Sequence, residues 1–289
     1  MDFAEFQQRL VTQKTVWTAC GFDALTAKLI QAAGFDAVTS SGYGIAASVL
    51  GKPDLELYTM TENLTVVRNM ASAISVPLIA DVDNGYGGVV NVMRTVREFE
   101  AAGVAAMFIE DQLSPKKCPM LGAPLPLEPL ENAVAKIKAA LAARTNPNVT
   151  IIARTDALEL GEVIRRAKAY VEAGAHLIMP IGRALKGIED LRALRSEGRV
   201  PLCLPCNPGG PYDLSQAELE SVAGIVMYPL AALMTAAQTI KDNMAALCRT
   251  KSFAAMPHPT MKVPGFQDFI GYPEIEAERA RFESRDARH

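Results

Sequence analysis

Along this chain short apolar runs alternate with longer amphipathic ones, and the runs at 15–19, 37–40, 77–81, 106–110, 150–154, 177–181, 201–204 and 224–228 are apolar at nearly every position. A run of this length bounded by Pro or Gly reads as a strand of a parallel sheet buried on both faces. Between the runs lie helical patterns such as 24–34 and 90–103, which close on Gly34 and Gly103. A glycine there suits the left-handed residue that ends many helices. Eight strand-helix units predict an α/β fold, the (β/α)8 or TIM barrel, whose reacting groups come from the C-terminal ends of the strands. A doubly wound sheet is the other arrangement the pattern allows. After Ser252 the chain is surplus to a barrel, with Pro257, Pro259 and Pro264 followed by a helical stretch over 272–288. The expected organisation is one barrel domain over 1–289, in which 253–289 is a helical extension packing on a neighbouring subunit.

Two of the runs end in closely spaced carboxylates, Asp81 with Asp83 and Glu110 with Asp111. At adjoining strand ends the four are expected to converge on one mouth. Such a cluster repels itself unless a divalent cation is held by the hard oxygens. Arg154, closing the fifth run, offers a planar fork for a carboxylate or an internal salt bridge. Ser41-Gly42-Tyr43-Gly44-Ile45 is a small-residue turn whose amides can face an anion. Asp54 lies in the loop beyond it, where helix capping is the simpler role. The stretch 112–127 holds four prolines and a glycine, too irregular for a helix and too long for a tight turn, which fits a lid over the mouth. It carries Lys116-Lys117-Cys118, a thiol whose thiolate two lysines would favour. Trp17, on the first run, either closes over a substrate or packs as a barrel aromatic. Cys203 and Cys206 form a C-x-x-C without a second pair, and His176 and His258 have no partner visible in the sequence.

The chain has 289 residues, a formal net charge of -3, 49% apolar and 21% charged positions, the composition of a globular protein with a large core. Near-neutral balance gives no reason to expect nucleic acid or a membrane surface as partner, which leaves small molecules. The N-terminus is acidic and lacks the basic start and apolar core of an export signal, and no run reaches the ~20 residues that span a bilayer. A cytoplasmic location is the expectation. Five scattered cysteines, an odd number, are expected to be reduced.

Taken together the residues resemble the isocitrate lyase/phosphoenolpyruvate mutase superfamily. The resemblance covers nearly the whole chain through Phe22-Asp23-Ala24-Leu25-Thr26-Ala27-Lys28, Ser41-Gly42-Tyr43-Gly44, Leu50-Gly51-Lys52-Pro53-Asp54, Asp81-Val82-Asp83-Asn84-Gly85-Tyr86-Gly87, Ile109-Glu110-Asp111-Gln112, Pro115-Lys116-Lys117-Cys118, Ile152-Ala153-Arg154-Thr155-Asp156-Ala157 and Phe269-Ile270-Gly271-Tyr272. It implies a barrel whose last helix is exchanged between subunits, usually in a homotetramer, with Mg2+ (sometimes Mn2+) near the strand ends. It also implies a small carboxylic acid substrate, a 2-oxo or 2-hydroxy acid with a second carboxylate or a phosphonate, passing through an enolate. Carried over residue by residue, Asp81 is the direct metal ligand, and Asp83 and Glu110 hold metal-bound waters. The backbone of Tyr43, Gly44 and Ile45 contacts the substrate carboxylate, and Arg154 binds an oxygen of the enolate or leaving group. Lys116 and Cys118 lie on the gating loop with Cys118 as the proton donor, Asp54 joins the catalytic set, and Asn207 stands in for a substrate-binding asparagine.

The chain also departs from the carbon-carbon lyases of that group. Cys118 is followed by Pro119-Met120 where those lyases carry Gly-His, and the sixth run ends Met179-Pro180-Ile181-Gly182-Arg183 where they place a Glu. A metal-dependent lyase of a substituted malate or methylisocitrate-like acid is the leading expectation. Oxaloacetate decarboxylation or hydrolysis, carbon-phosphorus chemistry on phosphonopyruvate, and a non-catalytic binding barrel are the others.

Overall fold

In the computed structural model, which describes residues 3–12, 14–118, 125–181, 184–210 and 212–283, the eight apolar runs form eight parallel strands closed into a barrel in chain order. They are β1 (Val16–Gly21), β2 (Ala37–Ser40), β3 (Leu78–Asp81), β4 (Ala106–Glu110), β5 (Thr150–Thr155), β6 (Leu177–Pro180), β7 (Leu202–Pro205) and β8 (Ala223–Tyr228), with β8 returning to β1 through Val16 opposite Ile225. The expected strands agree with these to within two residues, and the differences have local causes. Pro77 and Pro201 have no N–H to donate, so they precede their strands. Their carbonyls still accept from Val38 (3.0 Å) and Ile178 (3.3 Å).

Side chains alternate across each strand. One face of the strands supplies Val16, Cys20, Ile79, Phe108, Ile152 and Ile225 to the barrel interior. The other supplies Ala19, Val38, Ala80, Ile109, Ile151 and Val226 to the layer beneath the helices. The helix α1 (Phe3–Val11) closes the base, with Phe6 and Leu10 packed into the interior cluster. Trp17 belongs to the second set: it packs in the outer layer, stacked on Tyr228 with ring centroids 6.2 Å apart. The expectation that it closes over a substrate is corrected, because its register on β1 turns it away from the interior.

The outer helices begin where their caps lie. In α2 (Ala24–Ala32) the Asp23 side chain accepts from the Thr26 amide at 2.7 Å, and Thr59 and Glu62 cap α4 (Met60–Ala73) reciprocally. Between β2 and α4 lies one turn of helix, α3 (Gly42–Ile45), which runs on into a π-helical turn over Ala46–Leu50. The remaining helices of the barrel are α5 (Val89–Ala101), α6 (Leu130–Ala143), α7 (Leu160–Glu172), α8 (Ile188–Gly198) and α9 (Gln216–Val222).

By its contacts the chain divides into two compact units, 1–233 and 234–289. Helix α10 (Ala231–Thr250) begins just before the division, and the second unit adds α11 (Val263–Phe269) and α12 (Tyr272–Phe282). Within that unit Asn243 anchors the loop after α10, donating to the His258 carbonyl (3.1 Å) and accepting from its amide (3.0 Å). The helix expected over 272–288 ends at Phe282, and 284–289 lie outside the described residues. Among the described residues no helix is long and apolar enough to cross a membrane. Cys203 and Cys206 are free thiols that burial pushes up, to about 12 for Cys206, which leaves the C-x-x-C a packing element.

Candidate active site

Strand β3 delivers Asp81 at its last position, and four contacts hold it. Its Oδ2 accepts from the Gly42 amide (3.0 Å) and its Oδ1 from the Asp83 amide (3.1 Å), while its own amide donates to Ser40 Oγ (3.0 Å) and its carbonyl accepts from Asn63 Nδ2 (2.8 Å). Only glycine fits at position 42, since an added Cβ would lie 2.7 Å from Asp81 Oδ2 and 2.6 Å from the Tyr58 hydroxyl. The chain then reverses through left-handed backbone at Asp83 (φ 48°), Gly85 (φ 84°) and Tyr86 (φ 60°). Non-glycine residues accept that conformation where the surroundings over-determine it. The reversal turns the Asp83 carboxylate back into the mouth, where it pairs with Lys116 Nζ. Lys116 also pairs with Asp54 at 2.8 Å, so Asp54 is a partner of this lysine rather than a helix cap.

Strands β4 and β5 bring Glu110 opposite Arg154 in register, and Arg154 Nη1 lies 2.8 Å from Glu110 Oε2. The other edge of the guanidinium is gripped by Asp156, with Nε and Nη2 each 2.9 Å from a carboxylate oxygen. Asp156, two residues on and therefore on the same face, also accepts from Gln112. The sequence reading missed Asp156, though its period-two spacing from Arg154 was the available signal. Asp111 lies off the mouth, one residue out of phase with Glu110. Its carboxylate accepts from the Asp156 amide (3.0 Å), Tyr170 (2.7 Å) and Arg166 (3.1 Å) against α7. The carboxylates that do converge are Asp54, Asp81, Asp83 and Glu110.

A cavity of about 470 Å³ opens at these strand ends. Its lining includes the polar residues Tyr43, Asp54, Asp81, Cys118, Arg154 and Asn207 and the apolar residues Phe108, Met179, Ile181, Pro205, Met227 and Leu230. A wider cleft of about 670 Å³ at the strand starts, beside Leu10 and Leu177, contains none of these polar groups. Gly44 and Ile45 do not line the cavity. The Gly44 amide donates to Ser41 Oγ (3.0 Å) and that of Ile45 to the Ser41 carbonyl (2.8 Å), so both are engaged within the turn. The expected lid is rooted where Gln112 bridges Leu127, and its 119–124 lie outside the described residues. The ammonium of Lys116 is committed to Asp54 and Asp83, which corrects the picture of two lysines serving the Cys118 thiol.

The electrostatics follow from burial. Desolvation pushes the Asp81 carboxyl up to about 6, helped by Asp83 and opposed by Lys116 and Arg154. Desolvation also pushes Glu110 up to about 8, against the pull of Arg154 and Lys116. Burial would raise Asp83 too, but the Lys116 ammonium beside it, with the hydroxyls of Tyr58 and Tyr86, holds it below the usual carboxylate range. Glu110 Oε1 is buried without a hydrogen-bond partner. The four converging carboxylates face two cations, Lys116 and Arg154, and Asp156 occupies part of the second. A buried excess of negative charge with a vacant oxygen lone pair is a setting that a hard cation relieves. Among the described residues no three His, Cys, Asp or Glu side chains approach closely enough to hold an ion by themselves.

The chain is similar to known proteins along most of its length. Residues 6–248 match the family described as phosphoenolpyruvate phosphomutase. A 2,3-dimethylmalate lyase from Eubacterium barkeri is 40% identical over 287 residues, 94% of this chain and 95% of its own length. A 2-methylisocitrate lyase from Shewanella oneidensis is 37% identical over 249 residues, 84% of each chain. The crystal structure of a phosphonopyruvate hydrolase complex with oxalate and Mg2+ superposes with a TM-score of 0.87 at 30% identity, covering 98% of this chain and 99% of that one. The match over most of the chain agrees with the closed eight-stranded barrel, and the protein belongs to the phosphoenolpyruvate phosphomutase family within the isocitrate lyase/phosphoenolpyruvate mutase superfamily of lyases and mutases.

Proposed function

We propose that this protein is a Mg2+-dependent carbon-carbon lyase acting on a 2-hydroxy dicarboxylic acid of the substituted-malate kind. The observation that carries the reading is one cavity whose lining joins Asp81, Arg154 and Cys118 with the apolar side chains of Ile181, Pro205 and Leu230. The charged groups suit the two carboxylates and the oxygen at the reacting carbon, and the apolar side chains suit alkyl groups on the third carbon. The 2,3-dimethylmalate lyase that aligns over 94% of this chain supports the same substrate class.

The residues present fit a hard divalent cation. Asp81, Asp83 and Glu110 supply carboxylate oxygens, Glu110 Oε1 is unpartnered, and the local charge excess is negative. Asp81 would hold Mg2+ or Mn2+ directly, and Asp83 and Glu110 would do so through water, an arrangement that needs no three side chains converging on one point. Such an ion supplies Lewis-acid stabilisation of oxygen charge, worth several kcal/mol in related chemistry. In the reaction a base at the cavity takes the hydroxyl proton, the O–H electron pair forms the carbonyl of the 2-oxo acid, the bond between the second and third carbons breaks, and its electron pair goes to the third carbon. Arg154, fixed by Asp156, would meet an oxygen of the developing charge with its cavity edge. Cys118 Sγ would donate the proton that the third carbon requires. Burial of the site excludes water that would otherwise compete for that carbanion.

Pyruvate release from a panel of 2-hydroxy and 2-oxo diacids, measured with Mg2+ and with a chelator, tests the reading. Metal-dependent release from a 2,3-dialkylmalate is the expected result. Carbon dioxide from oxaloacetate alone would move the protein to decarboxylation, and phosphate from phosphonopyruvate would move it to carbon-phosphorus cleavage. No turnover of any member by folded protein would leave a binding barrel.

A further inference from the structure

We propose that Glu56 is a positioning residue for this site: its carboxylate pins the stretch leading to Cys118 and the Asp83-Asn84 turn to the loop between β2 and α4, and so sets where Lys116 meets Asp54 and Asp83 and where Cys118 stands at the cavity. Glu56 is absent from the cavity lining, so any effect it has must pass through the groups it binds. Its Oε1 accepts from Ser114 Oγ at 2.7 Å and from Asn84 Nδ2 at 3.3 Å, and its Oε2 accepts from the Lys116 amide at 2.8 Å. One carboxylate thus gathers loops that follow three consecutive strands, β2, β3 and β4. Two residues earlier, Asp54 takes the ammonium of the same Lys116. The lysine is therefore held by its backbone and by its side chain from one short segment.

Two features mark this as more than a surface contact. Glu56 adopts left-handed backbone, φ 60°, a conformation that a non-glycine residue keeps only where its surroundings demand it. The groups downstream are almost fully enclosed, with Lys116 at 4% and Cys118 at 5% relative exposure. A charged acceptor shared among three donors is the strong kind of hydrogen bond, and its removal frees a loop root while the barrel beneath keeps its core. Placement of the loop stands independently of the chemistry, whereas the consequence for turnover rests on the lyase reading.

The experiment is alkylation of the full chain by iodoacetamide, followed cysteine by cysteine with peptide mass spectrometry. Cys248 is exposed and serves as the reference, while Cys203, buried in the barrel interior away from the cavity lining, reports general loosening. Glu56→Ala is expected to raise the Cys118 rate about ten- to a hundredfold, the opening expected when hydrogen bonds to a charged acceptor are lost, with Cys203 and Cys248 unchanged. Glu56→Gln, which keeps an acceptor oxygen, should restore most of the protection. In the pyruvate assay the same Ala variant should lose kcat more than it raises KM, because the proton donor is displaced while Asp81 and Arg154 keep the contacts that fix them, to Ser40 and Gly42 and to Asp156. An unchanged Cys118 rate in Glu56→Ala overturns the proposal, and so does a rise in which Cys203 shares. If that variant does not fold, Glu56→Gln decides alone: a rise of a few fold confined to Cys118 supports the role, and none overturns it. Wild-type protein silent on every diacid, with Cys118 still released by Glu56→Ala, would remove the lyase reading and leave the positioning role intact.

Discussion

Towards the base the barrel interior holds Ile79 and Ile152 in one cluster with the side chains of Phe6 and Leu10. Two residues further along the same strands, on the same face, it holds Asp81 and Arg154. The step is about 7 Å at the usual rise of a strand. The base is dry, close-packed and indifferent to pH. The rim keeps buried charges whose ionisation burial opposes, raising Asp81 to about 6. Burying such groups costs stability unless they are paired, and here the pairing is incomplete, with Glu110 Oε1 unpartnered. The same architecture therefore stores stability at one end and gives some of it up at the other, where chemistry needs exposed charge in a dry place.

The largest effect that separates the two ends is expected at Asp81. Asp81→Asn should lower kcat/KM for pyruvate release by about 1,000-fold, the scale of losing a principal electrostatic stabiliser, while thermal stability holds or rises by ~1 kcal/mol. A variant that loses stability in step with activity would break the contrast. Phe6→Ala is the reverse case, because it opens a void under the interior cluster: stability should fall by about 3–5 kcal/mol in denaturant titration, with kcat/KM of the folded fraction nearly unchanged. Cys118→Ser keeps size and burial but exchanges a thiol for a weaker acid, and kcat should drop about 100-fold with little change in KM.

A smaller and graded effect is expected from pH. With its carboxyl raised to about 6, Asp81 is increasingly protonated as pH falls below that value, and a protonated carboxyl cannot hold the cation. Calorimetric Mg2+ affinity should rise by up to about tenfold per unit between about pH 5 and 6 and release protons on binding. The sign for stability is opposite: in metal-free protein the raised Asp81 carboxyl favours the folded state at low pH, and that contribution is lost as pH rises from the ordinary carboxylate range through about 6. Affinity independent of pH would mean that Asp81 is already ionised in the metal-free protein. The smallest effect belongs to neither end. The exposed pair of Lys168 and Glu197 joins α7 to α8 at the surface, and Lys168→Ala should cost less than ~1 kcal/mol without touching activity.

Much of this was legible in the residues. Runs ending in Asp81, Glu110 and Arg154 marked strand ends, and terminal glycines marked helix ends, because both signals are local in sequence. The misplacements share a cause as well. Asp111 was expected at the mouth beside Glu110 and Trp17 was offered a place over the substrate as one of two roles, and a shift of one residue on a strand turns a side chain to the other face. Gly44 and Ile45 were expected to offer free amides, but the turn closed into a helix that uses them.

Continuous apolar runs and the helical period of 3.6 were sufficient to determine eight strands, their covering helices and the carboxylates at the strand ends, since each depends on neighbours a few positions away. Tertiary structure alone decided which charges meet. Lys116 reaches Asp83 across 33 residues and its amide reaches Glu56 across 60, distances over which no local preference acts. Barrel closure brings the loops after β2, β3 and β4 side by side, and in that crowded, water-poor rim each buried charge must find whatever partner the closure places beside it.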